Sequence, residues 1–243
     1  MIKFNFSLAP LEYDVKKIHH FLNPGKGDWD WSKYVKFCYP ELNKGDSREK
    51  IRRFLIKFKK KNKKKIQNKM IIFKKRFEKI SDKIVSKLME ILEIDTIKTK
   101  KITILISLCP INPYDLKKKN FSVYWNSPIK HMIATSEHEI LHFIYYEKWK
   151  EIFPEATSKD FQPPSLHWHL SELIAPIVLN DKKIKAVFDY PHRGYEEHEK
   201  LKINGKGIFE ILLEMYNKKR NFSSFIKDAY NFLLKHEKEI QEI

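Results

Sequence analysis

The chain has 243 residues, of which 42% are hydrophobic and 33% are charged, and its formal net charge is +17 at pH 7. A chain of this length can bury a sizeable core, as one domain or as one domain with a helical subdomain. Two cysteines, Cys38 and Cys109, are too few for a disulfide framework, and neither a signal peptide nor a run of 18 apolar residues occurs. Composition therefore excludes the disulfide-rich secreted and membrane-spanning classes and predicts a soluble, cytoplasmic protein without a transmembrane segment.

The first 46 residues are rich in aromatic side chains, including Trp29 and Trp31. They predict an irregular or partly helical cap, to which we assign no chemistry. No internal repeat is visible in the chain.

A long helical pattern fills the next segment, residues 47–100. Ser47 is suited to an N-cap, and neither proline nor glycine occurs between Gly45 and Pro110. Apolar residues recur at alternating spacings of three and four over residues 66–91, the pattern of an amphipathic helix that packs one stripe on a core. The segment is therefore predicted to be a basic helical region.

Positive charge is concentrated in the same segment. Residues 48–101 hold 21 Lys and Arg against six Asp and Glu, a net charge of +15. The lysine run at residues 59–65 could bind a polyanion such as nucleic acid, an acidic partner or an anionic membrane surface. An AT-rich genome would favour lysine over arginine without explaining the clustering, and a solvated helix face is the simplest alternative.

Two strand-like runs follow. Residues 102–108 are rich in β-branched side chains and predict a half-buried or fully buried strand. Residues 121–125 are shorter and predict an edge strand, with Pro110 and Pro113 marking the loop between the two runs. The sequence thus predicts a small β-sheet at the start of the segment 101–200.

A helix carrying two histidines is predicted at residues 129–148. Pro128 suits the first helical position, and no further proline or glycine interrupts the span. His138 and His142 are four residues apart, so both imidazoles lie on one helix face and can bind a single metal ion. Glu139 lies between them, close enough to polarise a water molecule at that metal. This is the H-E-x-x-H pattern typical of zinc metallopeptidases.

A second helix, predicted at residues 165–179, carries the candidate third ligand. Zinc in a hydrolytic site usually has three protein ligands and one open position. Apart from two histidines, Glu172 is the one ionisable residue in residues 161–180, and the predicted helix is apolar almost all round. A buried carboxylate is costly unless it is paired or coordinates a metal, so Glu172 is a candidate ligand.

The pattern His138-Glu139-x-x-His142, followed thirty residues later by Glu172 on a second helix, resembles the gluzincin class of zincin metallopeptidases. The resemblance implies zinc ligation by the two histidines and Glu172, with Glu139 as the general base. It also implies an α+β zincin-like fold in which strands precede the motif helix. The resemblance covers about residues 101–200 and identifies no subfamily, and the glycine and third histidine of metzincins are absent.

Other third ligands remain open. His169 lies one turn before Glu172 and faces the same way, so it could bind the metal or orient a ligand. Cys109 could also bind zinc, although the residues that surround the cysteine ligand in peptide deformylases are missing. A buried salt bridge from Glu172 to a lysine or arginine is the alternative without a metal.

A polar loop at residues 189–195, marked by proline and glycine, follows the glutamate helix. Hydrolysis of an amide needs a donor for the oxyanion that develops on the substrate carbonyl. In many gluzincins a tyrosine or histidine downstream of the motif fills this role, so the resemblance makes His192 and Tyr195 candidates. An ordinary surface loop is the alternative interpretation.

The predicted organisation has four segments: an N-terminal cap (1–46), a basic helical region (47–100), a zincin-like catalytic core (101–200) and a C-terminal helical region (201–243). The last segment predicts two helices broken near Asn221. The predicted fold is α+β, with a small β-sheet, the H-E-x-x-H helix and the glutamate helix between predominantly helical flanks.

The predicted function is zinc-dependent hydrolysis of peptide bonds in a peptide or protein substrate, with Glu139 as the general base. Two other functions stay open. One is a zinc amidase acting on a non-peptide substrate, and the other is a zincin-like protein without turnover that binds nucleic acid or an acidic partner through residues 48–101. A chance occurrence of the motif, with both histidines satisfied by hydrogen bonds in the core, is the remaining alternative.

Overall fold

Helices make up about 58% of the residues that the structure describes and accompany a small β-sheet, so the predicted α+β class is confirmed. The computed structural model describes residues 1–25, 29–157 and 159–242. Residues 26–28 of the predicted N-terminal cap, residue 158 and residue 243 lie outside the described residues.

The elements are numbered in chain order. The helices are α1 (Leu11–Leu22), α2 (Ser32–Cys38), α3 (Arg48–Phe77), α4 (Ser81–Leu92), α5 (Ile129–Ile152), α6 (Leu166–Leu179), α7 (Lys182–Lys185), α8 (Glu196–Lys200), α9 (Ile208–Lys218), α10 (Phe222–Lys235) and α11 (Glu237–Gln241). The strands are β1 (Lys3–Leu8), β2 (Lys101–Ser107), β3 (Tyr114–Asp115), β4 (Asn120–Tyr124), β5 (Lys202–Ile203) and β6 (Lys206–Gly207).

The predicted elements around the motif are confirmed. Helix α5 begins at Ile129, as predicted, and continues to Ile152, while α6 follows its N-cap Ser165 and ends at Leu179. Strands β2 and β4 match the two predicted strands to within one residue at each end. The break near Asn221 is also confirmed, because Asn221 caps α10, and α11 adds a short third helix to the C-terminal region.

The prediction of one amphipathic helix over residues 66–91 is wrong at one point, because residues 78–80 form a turn that separates α3 from α4. The turn has three residues, close to the 3.6 residues of one helical turn. The apolar residues on either side of it therefore keep their spacing of three and four in the sequence. Phe77 and Ile84, on either side of the turn, are both fully buried. Periodicity alone therefore does not reveal the break.

The four-stranded sheet has the order β1–β2–β4–β3. Strands β1, β2 and β4 run parallel, and β3 pairs antiparallel with β4 through Tyr114 opposite Phe121. The prediction that residues 121–125 form an edge strand is therefore wrong, because β4 lies between β2 and β3. The edge strand β3 has only two residues, too few to leave a pattern in the sequence.

Strand β1 corrects the prediction of an irregular or partly helical N-terminal cap, although α1 and α2 supply the expected helices. Phe4 and Phe6 alternate with polar residues in β1, which is the period-two pattern of a half-buried strand. Phe4 packs edge-on against Phe77 at 5.3 Å between ring centroids, and Phe6 packs against Phe73 at 5.7 Å. These contacts bury one face of β1 against α3.

The described residues fall into two compact units. The sheet unit holds residues 2–79 and 100–136, and the helical unit holds residue 1, residues 80–99 and residues 137–243. Helix α5 passes from the sheet unit to the helical unit after Ser136. The predicted basic region contributes α3 to the sheet unit and α4 to the helical unit.

Within the helical unit, α6 packs against α9, α10 and α11. Every residue of α6 except His167 is buried, as its almost uniformly apolar sequence requires. The C-terminal half of α5 is tied to the chain after α4, because the Glu147 carboxylate accepts the backbone N–H groups of Lys98 at 2.6 Å and Thr99 at 2.8 Å. These contacts fix α5 and α6, which carry the motif histidines and Glu172.

Helix α3 is 30 residues long but carries 15 Lys and Arg. Within the described ranges, no helix combines the length and the apolar character needed to cross a membrane. Cys38 is half-buried and Cys109 is buried, and both are free thiols.

A buried carboxylate joins α1 to the end of β2 in the sheet unit. Asp14 Oδ1 accepts hydrogen bonds from the Ser107 hydroxyl at 2.6 Å and from the Leu108 N–H at 3.1 Å. Burial raises the pKa of Asp14 to about 6, although these hydrogen bonds and the charge of Lys59 oppose the rise. The folded state therefore holds this proton more tightly than the unfolded chain, and that stabilisation is lost as the pH rises through 6.

We predict that Asp14→Asn removes this pH dependence. In the wild type, ionisation of buried Asp14 lowers the free energy of unfolding by about 2 kcal/mol between about pH 4 and pH 7. Asparagine keeps the acceptor oxygen but does not ionise. The free energy of unfolding of the variant should therefore rise relative to that of the wild type, by the same amount, as the pH increases over this range. Urea unfolding at both pH values measures the difference, with the exposed Asp228→Asn as control. A difference that stays constant with pH would contradict the prediction.

Candidate metal centre

Two imidazole nitrogens meet on one face of α5. His138 and His142 are one helical turn apart, and their Nε2 atoms lie 2.9 Å from each other. The His142 ring stacks on Tyr146, one turn further along, at 5.9 Å between centroids and an interplanar angle of 17°. The helix therefore presents both nitrogens to one point, as their spacing predicts.

Helix α6 brings a carboxylate to that point. Its N-terminus is fixed by Ser165, whose Oγ accepts the backbone N–H of Trp168. Glu172 Oε2 lies 3.2 Å from His138 Nε2, and its Oε1 lies 3.3 Å from His142 Nε2. The structure thus places Glu172 together with the two motif histidines in one group of potential metal ligands.

The donor set fits a zinc ion. Two imidazole nitrogens and one carboxylate oxygen are ligands that zinc takes in hydrolytic sites. Ligand atoms at about 2.0–2.1 Å from a tetrahedral zinc ion lie about 3.4 Å from one another. The separations among His138, His142 and Glu172, from 2.9 to 3.3 Å, are close to this spacing.

The three candidate ligands differ in their exposure to solvent. The side chains of His142 and Glu172 are 1% and 3% exposed, whereas that of His138 is 24% exposed. The group is therefore open to solvent at the side chain of His138. Catalytic zinc sites need such an opening, because one coordination position is reserved for water or substrate.

Glu139 lies near this group with one carboxylate oxygen unsatisfied. The residue is 5% exposed, and its buried Oε2 accepts no hydrogen bond from any described residue. Burial, and then the negative charge of Glu172, raise the pKa of Glu139 well above its ordinary range. A carboxylate with a raised pKa and an unsatisfied acceptor atom is suited to take a proton from water.

Glu172 has the opposite protonation behaviour. Burial alone would raise its pKa, but the charges of His142 and His138 and the hydrogen bonds from both rings hold it below its ordinary range. The carboxylate therefore stays anionic, which is the form that binds a metal cation. The pKa values of Glu139 and Glu172 are thus shifted in opposite directions, because only Glu172 contacts the imidazoles.

Tyr195 ends the predicted polar loop and precedes α8. Its ring lies 6.1 Å from that of Trp168 and 5.8 Å from that of His198, measured between centroids. Burial raises the pKa of Tyr195 well above its ordinary range, and the charges of Glu172 and Glu139 raise it further. The phenol therefore stays protonated within the field of both carboxylates and can donate a hydrogen bond to an oxyanion there.

His192, in the same loop, is held against a different carboxylate. Its Nε2 lies 3.2 Å from Oε2 of Glu137, the fully buried residue just before the motif. Its backbone N–H donates to Asn180 Oδ1 at 3.2 Å, and its carbonyl accepts from the Asn180 amide at 2.7 Å. These contacts anchor the loop to the end of α6. The His192 ring is therefore oriented through Glu137 and not through the ligand group.

The rival third ligands lie elsewhere in the described structure. His169 Nδ1 is 3.0 Å from Nε2 of His198, and burial lowers the pKa of both rings, to about 4 for His198. Cys109 is buried after β2 in the sheet unit, where its backbone N–H donates to Ser107 Oγ and burial raises the pKa of its thiol. Neither belongs to the ligand group, and Glu172 contacts histidines rather than a lysine or arginine.

Sequence reasoning missed the contacts that support the ligands. The hydroxyls of Tyr146 and Ser171 lie 2.8 Å apart and join α5 to α6 one residue before Glu172. Tyr146 is four residues after His142, so helical periodicity already places it on the ligand side of α5. Ser171 carries no such signal, because its role depends on how α6 packs.

Comparisons of this chain with family models, with curated proteins and with solved structures find no match.

We predict that the purified protein binds about one zinc ion per chain and that Glu172→Gln weakens this affinity on the order of 100-fold or more. Glutamine keeps the size of the side chain but removes the charge that binds the cation. Zinc should raise the unfolding temperature of the wild type, because a metal that binds only the folded state stabilises it, and should not raise that of the variant.

Elemental analysis measures the zinc content, and competition with a chromophoric chelator measures the zinc affinity. Glu151→Gln, on the exposed side of α5, is the matched control and should bind zinc like the wild type. Equal affinities for the wild type and Glu172→Gln would show that the carboxylate is not a ligand.

Proposed function

We propose that this protein is a zinc-dependent metallopeptidase of the gluzincin type, located in the cytoplasm. The observation that carries the proposal is the convergence of His138, His142 and Glu172, with Glu139 buried next to His138 in the chain. An i,i+4 histidine pair, a glutamate between its members and a lone carboxylate on an apolar helix are separate features of the sequence. Packing of a core does not require them to meet at one point, whereas a metal-dependent hydrolase does.

The order of the elements supports a zincin-like fold. The parallel strands β2 and β4 and the antiparallel edge strand β3 precede the motif helix α5, and the glutamate helix α6 follows it. This is the order that the resemblance to gluzincins implies. The helical segments at both ends of the chain are additions to that core.

Each residue of the site has a defined task in the proposed reaction. His138, His142 and Glu172 hold the zinc ion, which when bound supplies a Lewis acid for the substrate carbonyl and lowers the pKa of water. Glu139 takes a proton from the attacking water and passes it to the leaving amine. Tyr195 donates a hydrogen bond to the oxyanion of the tetrahedral intermediate.

The raised pKa of Glu139 suits this two-step transfer, because the same carboxyl must first accept a proton and then release it. A carboxylate with an ordinary pKa is a weak base near neutral pH, and burial strengthens it. Glu137, the other buried glutamate of α5, is engaged with His192 and is therefore not the base.

We predict that Glu139→Gln lowers peptide hydrolysis about 10²- to 10⁴-fold while zinc binding is retained. Glutamine fills the same space but cannot accept the proton. Mass spectrometry of new termini in a mixed peptide library measures the activity, and the same assay on labelled short amides detects a non-peptide amidase. Wild-type activity in the Glu139→Gln variant would contradict the assignment of the base.

We predict that Tyr195→Phe lowers kcat about 10²-fold with little change in KM, because its hydrogen bond forms only in the transition state. His192 is the second candidate donor, and His192→Gln is the matched comparison. A kcat unchanged in Tyr195→Phe but reduced in His192→Gln would transfer the oxyanion role to His192.

A further inference from the structure

A dense basic surface on α3 lies outside the ligand group of the candidate metal centre. Helix α3 carries 15 Lys and Arg against one acidic residue, Glu49. Six lysines between residues 57 and 65 are exposed and form no ion pair with any residue that the structure describes: Lys57, Lys60, Lys61, Lys63, Lys64 and Lys65. We call these six residues the lysine ridge.

The charges of the lysine ridge repel one another. Lysines four residues apart, such as Lys57 and Lys61, are neighbours on a helix surface, and like charges at this spacing destabilise the helix. Glu49 lies two turns before Lys57 and pairs with Arg52 and Arg53 instead. A polyanion along the ridge would replace this repulsion with attraction and release its own counterions.

The apolar face of α3 is already used by the sheet unit. Ile51, Leu55 and Ile66 are buried, and the helix packs on α1 and β1. A helix that lies in a membrane interface needs a free apolar face. The exposed apolar residues of α3 are Ile56, Ile71 and Ile72. Ile56 lies about four helical turns from the other two, and the consecutive Ile71 and Ile72 lie about 100° apart, so the three form no stripe. This rigid helix is therefore better suited to a linear polyanion than to a lipid surface.

Two exposed aromatic rings lie on α2, and the residue that follows this helix contacts α3 next to the first residue of the lysine ridge. Tyr34 and Phe37 are 44% and 80% exposed, and their rings stack at 6.5 Å between centroids with an interplanar angle of 14°. Tyr39, just after α2, contacts the ring of Phe58 at 5.3 Å, and Phe58 is next to Lys57 in α3. Aromatic faces beside lysines are the two features with which proteins bind single-stranded nucleic acid.

We propose that the sheet unit binds single-stranded nucleic acid, with phosphates on the lysine ridge and bases on Tyr34 and Phe37. Lysine attracts phosphate without sequence preference, and an aromatic face accepts any base. A double helix keeps its bases stacked inside and would use the ridge alone. The surface belongs to the sheet unit and needs no zinc, so binding persists when the metal is removed.

The test measures the anisotropy of a fluorescent oligothymidylate across a series of salt concentrations. The triple variant Lys57→Gln, Lys61→Gln, Lys64→Gln neutralises three lysines on one face of α3. The loss of three phosphate contacts predicts an affinity about 100-fold lower at about 0.1 M salt and a salt slope smaller by about 2. Arginine at the same three positions should preserve binding, because it keeps the charge.

The matched control neutralises three exposed lysines of the helical unit, Lys227, Lys235 and Lys238, with the same change in net charge. Its affinity should change less than about twofold. Equal losses in the two triple variants would overturn the proposal, since binding would then follow net charge alone. Thermal unfolding of each variant confirms that these exposed substitutions leave the fold intact.

A second variant tests the aromatic contribution. Phe37→Ala should lower the affinity for the single strand about tenfold, leave the salt slope unchanged and have no effect on binding to duplex DNA. The control is Ile72→Ala, which removes an exposed apolar residue without a π-face. Tighter binding to duplex DNA, to phosphatidylserine vesicles or to polyglutamate than to the single strand would overturn the proposal and assign the ridge to that ligand.

Discussion

A carboxylate enclosed in an apolar helix is the constraint from which the candidate site follows. Glu172 is 3% exposed within α6, whose other buried residues are almost all apolar. An ionised group in such surroundings is unstable unless hydrogen-bond donors or cations surround it. His138 and His142 meet this requirement from α5, so a polar contact joins the two helices at the candidate site.

The same packing separates the roles of two buried glutamates. Glu172 contacts both imidazoles and stays anionic, whereas Glu139 lies one residue after His138 without such a contact and has a strongly raised pKa. Pairs of titratable groups whose pKa values are shifted in opposite directions are typical of acid–base sites. Hydrogen bonds beyond the ligands, such as that between Tyr146 and Ser171, keep the geometry of the group rigid.

Local patterns predicted most of the elements around the site and much of the site itself. The histidine spacing and the uninterrupted apolar runs are properties of short segments, so α5, α6 and the pairing of the histidines were predictable. The partners of His192 and His169 were not, because Glu137 and His198 reach them only through tertiary packing. The turn at residues 78–80 and the two-residue strand β3 are local features, but each is too short to change the spacing of the apolar residues. The sequence pattern therefore did not reveal them.

X-ray absorption spectroscopy at the zinc edge identifies the atoms that bind the metal. Ligation by His138, His142 and Glu172 predicts a first shell of nitrogen and oxygen atoms at about 2.0–2.1 Å, with multiple scattering from two imidazoles, and loss of this ordered shell in Glu172→Gln. A sulfur shell at about 2.3 Å, a third imidazole, or no zinc in the folded wild-type protein would rule out this ligand set.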